Sequence, residues 1–288
     1  LRGDRGENAE DSMALLKKRK PLAALALSLA GIGLGQLYNG RPAKAIAVNL
    51  CWTVFFLASG LNDLISTFAG AMAELLVTVA IYLHAAADAL WDARYPLPCR
   101  LRPYQRWYVY AAVFAIQLSP DALPSMGIFT NPLSYRAYRI EGPSMLPTLA
   151  ENERVVMRPF GPQDRLRRGE AVIFAFPGGH EEDFLKRVIG LPGDRIEIRS
   201  KAVVINGIPL NEPYVRFEDG FSLPAAVSPR DNLGPLTVPP GSYFVMGDNR
   251  DRSYDSRHFQ CIDGSLLKGR PLYILWSKDR MRVGREVR

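Results

Sequence analysis

The hydrophobic pattern of the chain changes at about residue 130. Before that point apolar residues form long stretches, at 21–40, 45–62, 64–91 and 107–120. A bilayer core takes roughly 17–25 helical residues, so the first three stretches are long enough to cross and the fourth is short. After residue 130 apolar residues come in short runs between turn residues. The pattern predicts an N-terminal α-helical transmembrane region followed by a mainly antiparallel β domain.

The short runs carry the alternation that is typical of strands. They lie at residues 136–140, 154–158, 170–176, 183–190, 195–199, 202–210, 242–248 and 271–276. Asn206-Gly207 is a strong hairpin signal because both residues tolerate positive φ. Residues 211–241 are rich in Pro, Gly and Asp, and we expect them to form a long excursion outside the core.

Two clusters of positive charge set the expected orientation of the membrane region. The first lies at residues 17–20, and the second consists of Arg94, Arg100, Arg102 and Arg106. Positive loops stay in the cytoplasm, so two such clusters need an even number of crossings between them, although three stretches are present. We therefore expect the glycine-broken GIGLGQLYNG to enter the membrane without crossing it. The fourth stretch then leads outward.

These patterns divide the chain into four parts. We expect residues 1–20 to form a disordered, basic cytoplasmic N-terminus, of which 1–12 are disordered or not part of the native product. We expect 21–95 to form a multi-span membrane region and 96–130 an arginine-rich loop and membrane anchor segment. The β domain is expected at 131–288, with inserted loops at about 195–241.

Three ionisable residues, Glu74, His84 and Asp88, lie in or beside the third apolar stretch. Ionisable groups at membrane depth often mark a functional site. The alternative, which we favour, is that they lie at the interface near a helix end.

Composition narrows the class of partner. The formal net charge is +7, but the basic residues are scattered without the aromatic interleaving of a nucleic-acid surface. We expect contact with anionic lipid headgroups and no nucleic acid. Cys51, Cys99 and Cys261 show no metal-ligand spacing, so no metal or cofactor is expected.

A rigid turn surrounds Ser144 in the segment EGPSMLPTL, residues 141–149. Pro143 and Pro147 fix φ and remove backbone donors, which excludes helix and central strand. A serine hydroxyl needs a base to act as a nucleophile at neutral pH. His180 and His258 are the histidines after residue 130, and either could complete a Ser-His-Asp arrangement.

Lysine usage indicates another base. Among the 24 basic residues from 131 to 288 only four are lysine. In DFLKRVIG, residues 183–190, alternation puts Phe184, Lys186 and Val188 on one face. Apolar surroundings disfavour the ammonium and lower the pKa of Lys186, which would make it a general base. The alternative is a strand-edge or snorkelling lysine.

A third cluster, MGDNRDRSYDSR at residues 246–257, follows an apolar strand directly. A solvated turn would explain its polarity. The density of Ser, Asp and Arg also suits a hydrogen-bonded network that positions other groups.

Taken together, three segments resemble the type I signal peptidases, membrane-bound Ser-Lys proteases that remove signal peptides from exported proteins. GPSMLPTL resembles the family's nucleophile box, DFLKRVIGLPGDRI its lysine box and GDNRDRSYDSR its C-terminal box. The resemblance covers residues 135–276 in the family's order. It implies the signal-peptidase β fold and membrane-bound endopeptidase activity.

The resemblance also implies roles for individual residues. Ser144 would be the nucleophile, Lys186 the general base and Ser253 the serine that hydrogen-bonds the lysine. The supporting network would be Asp248, Asp255 and Arg257. Many members have a Ser or Thr hydroxyl as second oxyanion donor two residues before the nucleophile, but Gly142 stands there in this chain.

Substrates and location follow from the same resemblance. Signal peptides end in small residues at alternate positions, A-x-A-like, and their side chains would enter apolar pockets. The lining residues would be Tyr138, Ile140, Met145 and Leu185. The partners would be signal-peptide-bearing preproteins and the lipid bilayer, with residues 131–288 on the external face of a bacterial cytoplasmic membrane.

Two other functions stay open on the residues. One is a non-proteolytic membrane assembly or scaffold protein that binds exported chains, against which the intact Ser144 and Lys186 argue. The other is a self-cleaving Ser-Lys repressor, which would need a DNA-binding domain where this chain has apolar stretches.

Overall fold

The structure, a computed structural model, describes residues 19–95, 106–118, 135–161, 164–179 and 182–287. Several residues discussed above lie outside the described residues: 1–18, Cys99, Arg100, Arg102 and His180. The chain divides into two compact units, Leu1–Ile65 with Ala69–Pro132, and Ser66–Phe68 with Leu133–Arg288.

The N-terminal unit is helical. Its described helices are α1 Pro21–Ala30, α2 Leu34–Tyr38, α3 Pro42–Leu61, α4 Phe68–Asp92 and α5 Trp107–Leu118. Within the described ranges two segments are long and apolar enough to cross a membrane, Pro42–Gly60 of α3 and Phe68–Asp92, which is α4. Helix α1, with 10 residues, spans about 15 Å, half the roughly 30 Å hydrocarbon core of a bilayer.

Glycines break the first apolar stretch into α1 and α2 and let the two helices pack closely. Gly33 has φ +83°, which favours glycine. At Gly35 an added Cβ would lie 2.0 Å from Ser28 Oγ and 2.4 Å from the carbonyl oxygen of Ala24. The two short helices therefore depend on a glycine at this position.

Two side-chain amides hold α2 and the residue after it to α4. Gln36 Nε2 donates to the carbonyl oxygen of Ala85 and Asn39 Nδ2 to that of Ala89, each at 2.7 Å. Both amide side chains are buried. Such bonds are favoured where water is scarce, because unsatisfied polar groups there are costly.

The three acidic residues of α4, Glu74, Asp88 and Asp92, have partners within this unit. Lys44 Nζ lies 2.7 Å from both Asp88 Oδ1 and Asp92 Oδ2. Glu74 Oε2 accepts a hydrogen bond of 2.7 Å from Ser59 Oγ. These contacts give Asp88 and Glu74 a structural explanation that needs no intramembrane functional site.

The second unit is built of antiparallel strands. They are β1 Arg136–Arg139, β2 Arg154–Pro159, β3 Ala171–Ala175, β4 Asp183–Gly190, β5 Arg195–Arg199, β6 Ala202–Ile205, β7 Ile208–Pro209, β8 Leu233–Thr237, β9 Ser242–Met246, β10 Ile262–Asp263 and β11 Leu267–Trp276, with one short helix, α6 Ser256–Phe259. One sheet has seven strands in the order β1-β2-β11-β3-β4-β9-β10, and the other has four in the order β7-β6-β5-β8. The predicted fold class is confirmed.

Each of the eight predicted runs contains a strand. Asn206 and Gly207 both have positive φ, 52° and 85°, in the predicted hairpin. The expectation of inserted loops at 195–241, with 211–241 outside the core, was wrong in part. Strand β8 pairs with β5 there, and Val238 is fully buried. Gly234 and Pro235 in β8 are turn signals, but an edge strand tolerates them.

Candidate active site

The turn that carries Ser144 is a 3₁₀ turn, Pro143–Met145, after extended Gly142. Asn249, which follows β9, fixes this turn from the other side. Its backbone N–H donates to the carbonyl oxygen of Ser144 at 3.0 Å, and its Nδ2 donates to that of Pro143 at 3.2 Å. Met145 is buried. This burial and the two hydrogen bonds from Asn249 fix the position of the backbone that carries the Ser144 hydroxyl.

Lys186 approaches this hydroxyl from the middle of β4. Its side chain is 5% exposed, and Nζ lies 2.8 Å from Ser144 Oγ and 3.2 Å from the carbonyl oxygen of Leu185. Nζ also lies 5.3 Å from the centre of the Phe184 ring. This burial excludes the edge or snorkelling lysine considered above, because β4 pairs with β3 and β9.

Burial controls the charge of this amine. Desolvation lowers the pKa of Lys186 from 10.5 to about 8; the charges of Asp255 and Asp248 oppose this change, and that of Arg257 assists it. A substantial fraction of Lys186 is therefore neutral slightly above neutral pH, as a general base requires.

Arg187, the next residue of β4, forms a buried ion pair with Asp248. Its Nε and Nη2 donate to the two carboxylate oxygens at 2.7 and 2.6 Å, and Nη1 donates to the carbonyl oxygen of Gly169 at 2.6 Å. Thr148 Oγ1 donates to the same carboxylate at 2.5 Å. The Tyr214 ring covers the guanidinium at 4.0 Å. The pair thus joins β4, the segment that carries Ser144 and Thr148, and the loop after β9.

Asp255 forms the second buried ion pair, with Arg257. Two guanidinium nitrogens donate to its oxygens at 2.8 Å each, and the Gly247 N–H donates at 3.0 Å. Burial alone would raise the pKa of Asp255, but the Arg257 charge and these hydrogen bonds lower it. Arg257 also donates to the carbonyl oxygens of Arg250 and Arg230. Of the two interpretations given for residues 246–257, the structure therefore supports the hydrogen-bonded network and not the solvated turn.

Ser253 is buried but does not bind Lys186. The implied hydrogen bond between Ser253 and Lys186 is absent, since the lysine amine is directed to Ser144 and Leu185. Within the described residues Ser253 Oγ has no hydrogen-bond partner of ordinary geometry. The hydroxyl is still close enough to Asp255 to favour its ionised form.

The four residues expected to line substrate pockets lie together. Ile140 and Met145 are buried in one apolar cluster, and Tyr138 and Leu185 pack against it, partly buried. Tyr138 Oη donates to Asp183 at 3.0 Å. Gly142 faces open space, with no atom within 4 Å of an added Cβ.

His258 does not belong to this arrangement. Its ring stacks on Tyr254 with centroids 5.1 Å apart, and Ser144 Oγ is engaged by Lys186. In the described parts of the chain no cluster of three or more His, Cys, Asp or Glu could hold a metal ion.

Several residues of the network were not expected. They are Thr148, Arg187, Lys201, Glu212 and Arg250. Arg187 carried a usable signal, because an arginine inside an otherwise apolar strand needs a buried anion. Lys201 and Glu212 carried none, since their partners, Asp251 and Arg250, are about 40 to 50 residues away in the chain.

Comparison with known proteins identifies the class. The family model described as Signal peptidase, peptidase S26 matches residues 108–276. The signal peptidase I of Bacillus caldolyticus is 34% identical over 181 residues, 60% of this chain and 90% of the relative. That of Bacillus licheniformis is 36% identical over 152 residues, 51% of this chain and 80% of the relative. The protein is therefore a serine peptidase, a hydrolase.

The chain also matches a crystal structure of a signal peptidase I from Enterococcus faecalis V583, with 33% sequence identity and a TM-score of 0.31. The match covers 37% of this chain and 97% of that chain. With the family model matching more than half of its length, the chain belongs to the signal peptidase family. This family is membrane-anchored, and its role implies preproteins with signal peptides as substrates.

Gly247 leads to a prediction about the geometry of the site. An added Cβ would lie 2.3 Å from Ser253 Oγ and 2.5 Å from the carbonyl oxygen of Ser144. Gly247→Ala should lower kcat for precursor cleavage on the order of 10²-fold, because Ser144, the candidate nucleophile, must move. Gly234→Ala is the matched control, since no atom lies within 4 Å of its added Cβ. Wild-type kcat in Gly247→Ala would contradict the prediction.

Proposed function

We propose that the protein is a membrane-bound endopeptidase that removes N-terminal signal peptides from exported preproteins with a Ser144–Lys186 dyad. One observation carries the proposal: Ser144 Oγ lies 2.8 Å from the Nζ of a buried lysine whose pKa is lowered to about 8. Intact nucleophile and base favour this function over a non-proteolytic scaffold.

The dyad would work in two stages, formation of an acyl-enzyme and its hydrolysis. Neutral Lys186 accepts the Ser144 proton as the oxygen attacks the carbonyl carbon of the scissile bond. The resulting ammonium then gives a proton to the departing amine of the mature chain. Water, deprotonated by the same amine, then attacks the acyl carbon, and the ammonium returns this proton to Ser144 Oγ as the ester bond breaks and the signal peptide leaves.

The developing oxyanion would be bound by the backbone N–H of Ser144. A hydroxyl at position 142 is missing, and loss of one oxyanion donor typically costs about 10²–10³ in rate. The open space beside Gly142 is large enough for a water molecule or a substrate group to serve there.

Specificity for small residues would follow from the apolar cluster beside the dyad. An extended peptide presents alternate side chains to one side. Ile140 and Met145 are buried in this cluster, and Tyr138 and Leu185 pack against it, partly buried. Such filled pockets accept Ala and exclude larger side chains, in agreement with A-x-A-like cleavage sites.

For the membrane region we propose that α3 and α4 cross the bilayer and that the shorter α1 and α2 do not. Two crossings put Arg41, before α3, and Arg94, after α4, on the same side. Basic residues favour the cytoplasm. The anchor segment beginning at α5 would then carry the catalytic domain to the external face of a bacterial cytoplasmic membrane.

The nucleophile is tested by incubating purified protein with a precursor and mapping the cut by mass spectrometry. Wild type should release the signal peptide after a small residue, and Ser144→Ala should not, although it remains folded and inserted. Ser253→Ala should retain part of the activity, because it makes no hydrogen bond to the lysine. Wild-type rates in Ser144→Ala would place the nucleophile elsewhere.

The base is tested by pH. We expect kcat/KM to rise with pH through an apparent pKa of about 8, as Lys186 loses its proton. Lys186→Arg should be inactive, because a guanidinium does not deprotonate in proteins. Exposed Lys278→Arg is the control, whereas Lys201 is unsuitable because it pairs with Asp251. An active Lys186→Arg enzyme with the same acidic limb would refute the dyad.

Orientation is tested by protease treatment of intact spheroplasts. The proposed topology exposes residues 131–288 to external protease, so the C-terminal half should be digested while a cytoplasmic marker protein stays intact. Protection of the C-terminal half in spheroplasts, with digestion after lysis, would reverse the assignment.

A further inference from the structure

A continuous row of aromatic side chains begins at the dyad and extends to the surface. We call Phe184, Phe176, Tyr254 and His258 the aromatic strip. Nζ of Lys186 lies 5.3 Å from the Phe184 ring centre. Successive ring centroids are then 4.7, 6.3 and 5.1 Å apart.

The strip lies on the opposite face of β4 from the pocket cluster. Alternate residues of a strand point to opposite faces. Leu185 packs with the cluster of Ile140 and Met145, whereas Phe184 packs with a separate cluster that includes Phe174 and Phe259. Lys186 shares the face of Phe184 by the same alternation, so the dyad lies beside the inner end of the strip.

The outer end of the strip is open to solvent. Tyr254 is 53% exposed, and His258 is exposed too. Burial of part of the imidazole lowers the pKa of His258; Asp255 opposes the change, and Arg257 and Arg230 assist it. The stacked ring is therefore mostly neutral at pH 7 and above, and the strip presents aromatic faces rather than charge.

We propose that the aromatic strip binds the first residues of the mature chain, those that follow the scissile bond. The inference rests on the proposed function, because it takes Ser144 and Lys186 as the point of cleavage. The ligand is an extended peptide segment whose apolar or aromatic side chains pack on Tyr254 and His258.

The dimensions of the strip fit this occupant. A strand rises about 3.3 Å per residue, so three to five residues span roughly 10–17 Å. The three ring-to-ring steps of the strip form a path whose length falls within this range and sets the upper limit of its span. The strip is continuous with the dyad, so a chain cut there passes over it as the new amino terminus leaves.

Two substrates separate this binding from the chemistry of the dyad. One is a signal-peptide substrate that continues for six residues after the scissile bond, with an aromatic residue among them. The other carries a fluorogenic amide directly after that bond. Cleavage of both by the full chain in detergent micelles gives a ratio of kcat/KM values, extended over truncated.

Tyr254→Ala and His258→Ala should each lower this ratio by roughly three- to tenfold, because a single aromatic contact contributes about this much to binding. Tyr254→Phe keeps the ring and should restore the ratio. Ile208→Ala removes another exposed apolar side chain, 71% exposed on β7, and is the control for nonspecific effects. Two independent variants keep the test valid if one of them folds poorly.

An unchanged ratio in both alanine variants would overturn the assignment. This includes the case in which kcat/KM falls equally on the two substrates. An effect seen in lipid vesicles but absent in micelles would also overturn it, because the strip would then contact the bilayer. Failure of wild type to cut either substrate would instead contradict the proposed function itself.

Discussion

The site depends on a buried amine that has no carboxylate of its own. Asp248 and Asp255 are close enough to Lys186 to raise its pKa, and either one as a direct partner would keep the amine charged. Each carboxylate instead has an arginine, Arg187 and Arg257, that occupies both of its oxygens. Desolvation therefore dominates, and the pKa falls to about 8.

This arrangement has a defined energetic cost. With an ordinary pKa of 10.5 for Lys186 in the unfolded chain and about 8 in the folded one, the charged amine destabilises the fold by about 3 kcal/mol. The cost is complete below pH 8 and disappears as pH rises towards 10.5, because the folded state then binds fewer protons than the unfolded state. Removing one arginine would add about 3–5 kcal/mol, since a buried carboxylate would lose its partner.

The sequence predicted the features that depend on local pattern. Alternating runs marked eight strands, and Asn206-Gly207 marked a hairpin, because strand period and turn chemistry are properties of neighbouring residues. Strand β8 was missed because Gly234 and Pro235 resemble a turn, and edge position, which permits them, depends on tertiary structure. The pairing of Arg187 with Asp248, 61 residues apart in the chain, could not be deduced from spacing. Ser253 shows the opposite limit, because the alignment of motifs predicted a hydrogen bond to Lys186 that the structure does not contain.

The inserted segment at about residues 195–241 helps to hold the residues of the site in position. Asp251 accepts hydrogen bonds from Lys201 Nζ and from the N–H groups of Glu218 and Asp219. The N–H of Arg216 donates to the carbonyl oxygen of Asp248 at 2.8 Å. The loop after β9, which carries Asp248 and Asp255, is thus hydrogen-bonded by residues of the inserted segment, several of them through backbone groups. Backbone hydrogen bonds need no particular side chain. The composition of residues 211–241 therefore indicates a loop, although this segment fixes the positions of the carboxylates on which the neutral state of Lys186 depends.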